Sequence, residues 1–304
     1  MVDGLRLTAR WDTRIDRAAL LCFTFDGQAQ FGLKAVAVVS ALLANGERIP
    51  SCWFKYHHRR GPFTMAGQDC HTLVQIGSEP NVRADRCVLT DGISGQALNT
   101  SHSAERAIHR VLDRLGRFFP VGFYYRTVFL QTPSIWLKFR EPMIRKSAGL
   151  GVVDTKQGRG HFRKRNLQCD VLITGSGAVV IAAAMTAAGI GPEVVIAESD
   201  SEIGGQLTYN RGIEEAMPKA RAELDQPRII FLTDAKCNGW YTDNFMPVIR
   251  RDLLYRVRAR QIVVVSDTQE QLLIFRNNEF PGIVTAAGVQ RMMRHVHLPP
   301  GRVC

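Results

Sequence analysis

Apolar positions in this chain come mostly in short runs closed by glycine, and the longest ordered pattern lies between 169 and 205. A five-residue run, Asp170 to Thr174, meets Gly175-Ser176-Gly177. An Ala-rich stretch to Ala188 has helical composition, a Gly-Ile-Gly-Pro break follows, and a second β-branched run ends at Glu198. The pattern predicts strand, tight turn, helix and strand in about 30 residues.

The N-terminal half reads differently. LLCFTF, Asp26-Gly27 and QAQFG predict a hairpin, because Asp-Gly suits a two-residue turn. A short apolar helix is expected from Val36 to Ala44, stopped by Asn45-Gly46, then a strand from Cys87 to Thr90 closed by Asp91-Gly92. Apolar residues at 104, 107, 108, 111, 112 and 115 have helix spacing, and the aromatic stretch FFPVGFYYRTVF follows. Past 205 the pattern predicts a polar helix over Tyr209 to Asp225 and strands over Arg228 to Thr233, Arg250 to Arg260 and Gln261 to Ser266. A last helix is expected over Ala286 to His295. The domain organisation that results is 1–105, a connecting segment 106–168, and 169–304.

Composition narrows the classes. The 304 residues suffice for about two domains, no run of 18 or more apolar residues is present to span a bilayer, and a cytoplasmic protein is expected because the first residues lack an apolar signal core. Net charge is +11 and uneven: 25 Lys and Arg against 13 Asp and Glu before residue 169, then 14 against 15. The most basic loop, KYHHRRGPFTMAG at 55–67, suits a protein interface better than nucleic acid, since no RNA- or zinc-binding pattern accompanies it.

The candidate chemistry is cofactor binding. Gly175, Ser176, Gly177 and Ala178 would bring backbone amides against a pyrophosphate at the positive end of the helix. Glu198, 21 residues beyond Gly177, would accept from a ribose diol and repel a 2′-phosphate, which favours NAD or FAD over NADP. Ser199, Gly204, Gly205 and Gln206 supply a second close approach. The third glycine of GxGxxG is missing: Val180 stands there, and a β-branched side chain predicts a wider gap between helix and strand. No catalytic set and no metal-ligand spacing is legible. Cys52, Cys70 and Cys87 are separated by 18 and 17 residues, unlike the close Cys spacing of a plant-type cluster, so no [2Fe–2S] cluster is expected.

Several stretches together resemble the α subunit of heterotetrameric sarcosine oxidase and its amine-oxidoreductase relatives: Arg14-Ile15-Asp16-Arg17, FTFDG at 23–27, SALLANG at 40–46, RRGPF at 59–63, PNVRA at 80–84, FFPVGFYY at 118–125, EPMIRKSAGLG at 141–151, the glycine turn, and FRNNEFPGIVTAAGVQR at 275–291. The resemblance implies a cluster-free α+β ferredoxin-like domain followed by an incomplete α/β Rossmann-like two-dinucleotide-binding domain. It also implies NAD on this chain, with FAD as the alternative, FMN at a subunit interface, and a β-type FAD-containing subunit that oxidises the amine, beside smaller subunits. Neither a membrane nor nucleic acid is an expected partner. The chain would then be a subunit of a CH–NH oxidoreductase, or, alternatively, a degenerate non-catalytic assembly module that has lost the cofactor. Two departures bear on that choice besides Val180. Asp267 puts a carboxylate where closeness to an anionic dinucleotide is wanted, and the chain ends where family chains continue, so a truncated form is expected.

Overall fold

The computed structural model describes residues 5–7, 15–53, 58–67, 69–99, 137–138, 141–142, 145, 149–158, 161–210, 216–266, 268, 270–271 and 273–301. The chain forms two compact units, 1–157 with 271–304, and 158–270.

In the first unit, β1 (Asp16–Phe25) and β2 (Gln28–Lys34) form the expected hairpin. Asp26 and Gly27 both take positive φ, 49° and 78°, as a two-residue turn between twisted strands requires. Helix α1 (Val38–Ala44) buries Val38, Val39, Ala41 and Leu42 against Phe23, Phe25 and Leu33. After the small ladder of β3 (Ser51–Cys52) with β4 (Arg59–Arg60), strands β5 (Leu73–Ile76), β6 (Glu79–Arg83) and β7 (Ser94–Ala97) complete a mixed sheet ordered β2-β1-β7-β5-β6. The strand expected over Cys87 to Thr90 is reduced to one bridge, Val88 to Ala37, because the Arg86 and Cys87 N–H groups turn back to the Arg83 carbonyl. The helix expected over 104–115 and the aromatic stretch fall outside the described residues.

A buried carboxylate organises one loop of this unit. Asp69, 3% exposed, accepts from the N–H groups of Phe63, Thr64 and Met65 and from the Thr64 hydroxyl. The loop so held receives the last helix of the chain, α4 (Ala286–His295). Thr285 caps that helix at the Gly288 N–H and donates its own N–H to Phe63 O, while Met292 and Leu298 pack beside Ala44. Residues 271–304, expected in the second domain, are therefore packed in the first unit.

The second unit opens on β8 (Arg163–Thr174), then α2 (Ala178–Ile190), β9 (Val194–Ala197), α3 (Ala216–Leu224) and β10 (Ile229–Leu232). Strands β11 (Ala235–Cys237), β12 (Phe245–Arg250) and β13 (Leu253–Val264) follow. The sheet order is β10-β9-β8-β13-β12-β11; the first four are mutually parallel, and β12 pairs antiparallel with both β13 and β11. Two expectations change here. The linker expected to end at 168 gives way to strand at Arg163, and the two strands expected over 250–266 are one, because β8 and β13 pair from Arg163↔Leu253 to Thr174↔Val264.

Two apolar layers result. Ile173, Val194, Ile196 and Ile229 pack under α2 and α3, and on the other side Leu172, Val195, Leu232, Val248 and Val257 form a second cluster. The sheet curls enough for the Ala235 N–H to reach Glu198 O. After β10 the chain returns to the opposite side of β8, and the crevice outside the carboxyl ends of β8 and β13 is such a topological switch point.

Candidate functional site

At the carboxyl end of β8 the chain must turn under its neighbour. Gly175 takes φ +104°, and a Cβ there would collide with the Val265 carbonyl oxygen at the end of β13. The Val265 N–H donates to Thr174 O and the Gly175 N–H to Ala197 O, so the turn is pinned to both adjacent strands. Gly177 then starts α2 in extended backbone, φ −67° and ψ −178°, and its carbonyl accepts from the Ile181 N–H. No acidic residue lies in the first turn and no side chain caps it. That helix end offers N–H donors and positive dipole where Ala178 begins, the combination that receives a phosphate.

Val180 packs into the apolar layer between helix and sheet. It is 1% exposed, part of the layer with Ile173, Val194 and Ile196, and one of its methyl carbons would lie 3.5 Å from a Cβ on Gly175.

Glu198 closes β9 and is 8% exposed. Its N–H donates to Leu232 O, and its Oε1 accepts from the Asp200 N–H at 2.7 Å and the Ser199 hydroxyl at 3.1 Å. Ser199 is thereby turned toward the carboxylate. The next loop comes back to the glycine turn: Ser176, 2% exposed, accepts the Gly204 N–H on its hydroxyl at 3.1 Å. Gly204 has φ +126° with Met217 Cε 2.6 Å from any Cβ, and Gly205, φ +49°, begins a short 3-10 turn to Thr208. Gln206 donates to the Thr268 hydroxyl at 3.1 Å. The glycine turn, Ser176 and Gly204 thus form one hydrogen-bonded cradle, with Glu198 at the tip of the adjacent strand. Asp267 lies outside the described residues. The Val265 carbonyl and the Thr268 hydroxyl reach Gly175 and Gln206 because β13 pairs in parallel with β8, a strand some 90 positions earlier in the chain.

Thiols near this site are unreactive by position. Burial, and then the charge of Glu198, push the Cys237 thiol up to about 11; burial, with Asp170 and Glu193, does the same for Cys169. In the first unit Cys22 is exposed on β1, Cys52 is buried on β3 and Cys87 is half-buried after β6, all as free thiols. The side chain of Cys70 is outside those described, and among the described residues no group of three or more His, Cys, Asp and Glu is placed to hold a metal ion. No helix among the described residues is long and apolar enough to cross a membrane.

Comparison with known proteins bears on both units. Residues 2–97 match a family described as a 2Fe-2S iron-sulfur cluster binding domain. That match points to an iron–sulfur domain and overturns the expectation, drawn from cysteine spacing, of a cofactor set without a [2Fe–2S] cluster. Among solved structures, L-proline dehydrogenase from P. horikoshii superposes with a TM-score of 0.69 at 17% identity, over 99% of this chain and 50% of that one, which establishes a shared dehydrogenase-type α/β fold. Among curated proteins, the sarcosine oxidase subunit alpha of Rhizobium meliloti (strain 1021) is 31% identical over 313 residues, 95% of this chain and 32% of that one. Its counterpart from Corynebacterium sp. (strain P-1) is 23% identical over 300 residues, 91% and 27% of the two chains. The chain spans about a third of the length of these relatives. Over nearly its whole length it is a relative of the sarcosine oxidase α subunits.

Proposed function

We propose that this chain is an α-type subunit of a sarcosine oxidase-like heteromeric amine oxidoreductase. It contributes dinucleotide binding and subunit assembly, while oxidation of the CH–NH donor takes place on a partner subunit. The dinucleotide is NAD. The observation that carries the reading is the turn at Gly175, which only a residue without Cβ can make beneath the Val265 carbonyl, opening onto an uncapped helix end at the switch point of a parallel sheet. In this reading the N–H groups of Gly177, Ala178 and Val179 receive the pyrophosphate, and Glu198 holds the ribose diol. Ser176 fixes the Gly204-Gly205 loop against the turn, and Gln206 and Ser199 position the surrounding chain. The chain's relatives support the heteromer and the reaction class. The fit of the residues to a dinucleotide is supported by the bare backbone of the cradle: neither Gly175 nor Gly204 has room for a Cβ, and no side chain caps the helix end.

Titration of the purified chain with NAD, followed by thermal melting, tests this. Saturation at 100 times the dissociation constant should add about 2.7 kcal/mol of stability. An unchanged melting curve up to millimolar NAD, in a protein that is otherwise folded, would overturn the assignment.

A further inference from the structure

Strand β13 alternates inward apolar residues with outward arginines. Tyr255, Val257 and Ala259 are buried, while Arg256, Arg258 and Arg260 are exposed. The register places Asn166 and Gln168 of β8 beside the first two of these arginines, and Phe245 and Pro247 of β12 on their other side. Lys164 and Lys236 stand one strand position further on the same face, opposite Leu254 and Ile249. One face of the curled sheet therefore carries five cations at regular strand spacing.

Two of the five are neutralised locally. Arg258 lies 3.5 Å from Asp243 and Arg260 3.4 Å from Asp170. Lys164, Lys236 and Arg256 form no salt bridge among the described residues, and all three are exposed. The end of the face is aromatic. Arg258 stacks over the Phe245 ring, 5.5 Å from its centroid, and Tyr241 lies 6.0 Å from the same ring. Trp240 and Tyr241 are 58% and 54% exposed, the Trp240 N–H already engaged by Asn244. Exposed Trp, Tyr and Arg together, with Pro247, Ile249 and Leu254 between the cations, have the composition of a protein-binding hot spot.

We infer that this face docks a protein partner through a carboxylate-rich surface. Charge complementarity selects the partner: three uncompensated cations around an apolar and aromatic centre steer and register discrete acidic side chains. A nucleic acid is the poorer occupant, because Arg258 and Arg260 are already engaged by Asp243 and Asp170, and the three remaining cations do not make a continuous track for phosphates. The inference rests on the assembly part of the reading above and not on dinucleotide binding, so this test and the NAD titration fail separately.

The probe is fluorescein-labelled poly-L-glutamate, with labelled oligo(dT) as the competing class, each titrated with the whole chain at several salt concentrations. K164E/R256E should weaken poly-L-glutamate binding about tenfold, and W240S/Y241S should weaken it as well. The control K34E/K156E makes the same charge change at exposed lysines of the first unit and should cost less than about twofold. Circular dichroism and melting of each variant verify folding. Equal losses in the two charge-reversal variants, or tighter binding of oligo(dT) than of poly-L-glutamate at the same salt, would overturn the inference.

Discussion

The Val265 carbonyl oxygen occupies the space that a Cβ on Gly175 would need, and Gly175 itself holds φ +104°. Neither side can yield cheaply, because the Val265 N–H is bonded to Thr174 O and the two strands pair up to Val264↔Thr174. Gly175→Ala should therefore cost about 3 kcal/mol or more, from backbone strain and overpacking together. Gly177, with φ −67°, has a conformation open to any residue, so Gly177→Ala should cost about 1 kcal/mol or less as a poorer N-cap. Urea unfolding of the two variants checks the order; equal losses would mean that the β13 contact does not constrain the turn.

Val180→Gly restores the motif's third glycine and should nevertheless destabilise. The side chain is 1% exposed within the layer under α2, so its removal gives up a buried valine and adds a helical glycine, together about 2–4 kcal/mol. Val180→Ala should lose less. A Val180→Gly variant as stable as the parent would show that the packing around this position is loose.

How much of this was legible in the residues depends on how local each cause is. The hairpin at Asp26-Gly27, the glycine turn and the acidic tip at Glu198 were readable, since each needs a residue type at a short spacing. The single long β13 was not, because Arg260-Gln261 breaks the alternation, and only pairing with β8 along its whole length makes one strand of it. The packing of α4 was also hidden: its place depends on Asp69 holding the Phe63 to Met65 backbone, a contact between side chain and loop that periodicity does not carry. Cysteine spacing misled about the cluster and not about the ferredoxin-like character of the first unit, since residues 2–97 match an iron–sulfur cluster binding domain even though Cys52, Cys70 and Cys87 lie 18 and 17 residues apart.

Asp85 gives a pH dependence with a definite sign. Burial, then the negative charge of Asp69, raise its carboxyl above the ordinary 3.8, against hydrogen bonds from the Asp69 N–H and the Thr72 hydroxyl. A folded-state value above the unfolded one means that the favourable contribution is complete below the unfolded value and is lost as pH rises through the folded one. Asp85→Asn keeps an acceptor oxygen and removes the titration. Its melting temperature relative to the parent should therefore rise between pH 4 and pH 7. A difference that stays flat, or falls, over that interval would contradict the burial argument.

Thiol labelling separates exposed from buried cysteines. With Cys169 and Cys237 pushed up to about 11, roughly one thiol in a thousand is ionised at pH 8, and access is restricted as well. Cys22 is exposed on β1. Iodoacetamide followed by peptide mass spectrometry should modify Cys22 at least about tenfold faster than the buried Cys169 or the half-buried Cys237 in the native chain, and all three at similar rates in denaturant. Comparable native rates would place Cys169 and Cys237 nearer to solvent than the fold allows.

The charge of Glu198 helps to raise the Cys237 thiol, and in the proposed reading it also holds a ribose diol. Glu198→Gln leaves an oxygen to accept from the Asp200 N–H and the Ser199 hydroxyl, so the tip of β9 should keep its shape. The neutral amide gives up charge-assisted acceptance from the diol and no longer repels a 2′-phosphate. NAD binding should weaken by roughly tenfold while the preference for NAD over NADP narrows. Independently of any ligand, removing the carboxylate charge that helps to raise the Cys237 thiol should lower that thiol's pKa and speed its labelling at pH 9. Faster Cys237 labelling with an unchanged NAD to NADP ratio would leave the carboxylate where the fold puts it but take the ribose away from it.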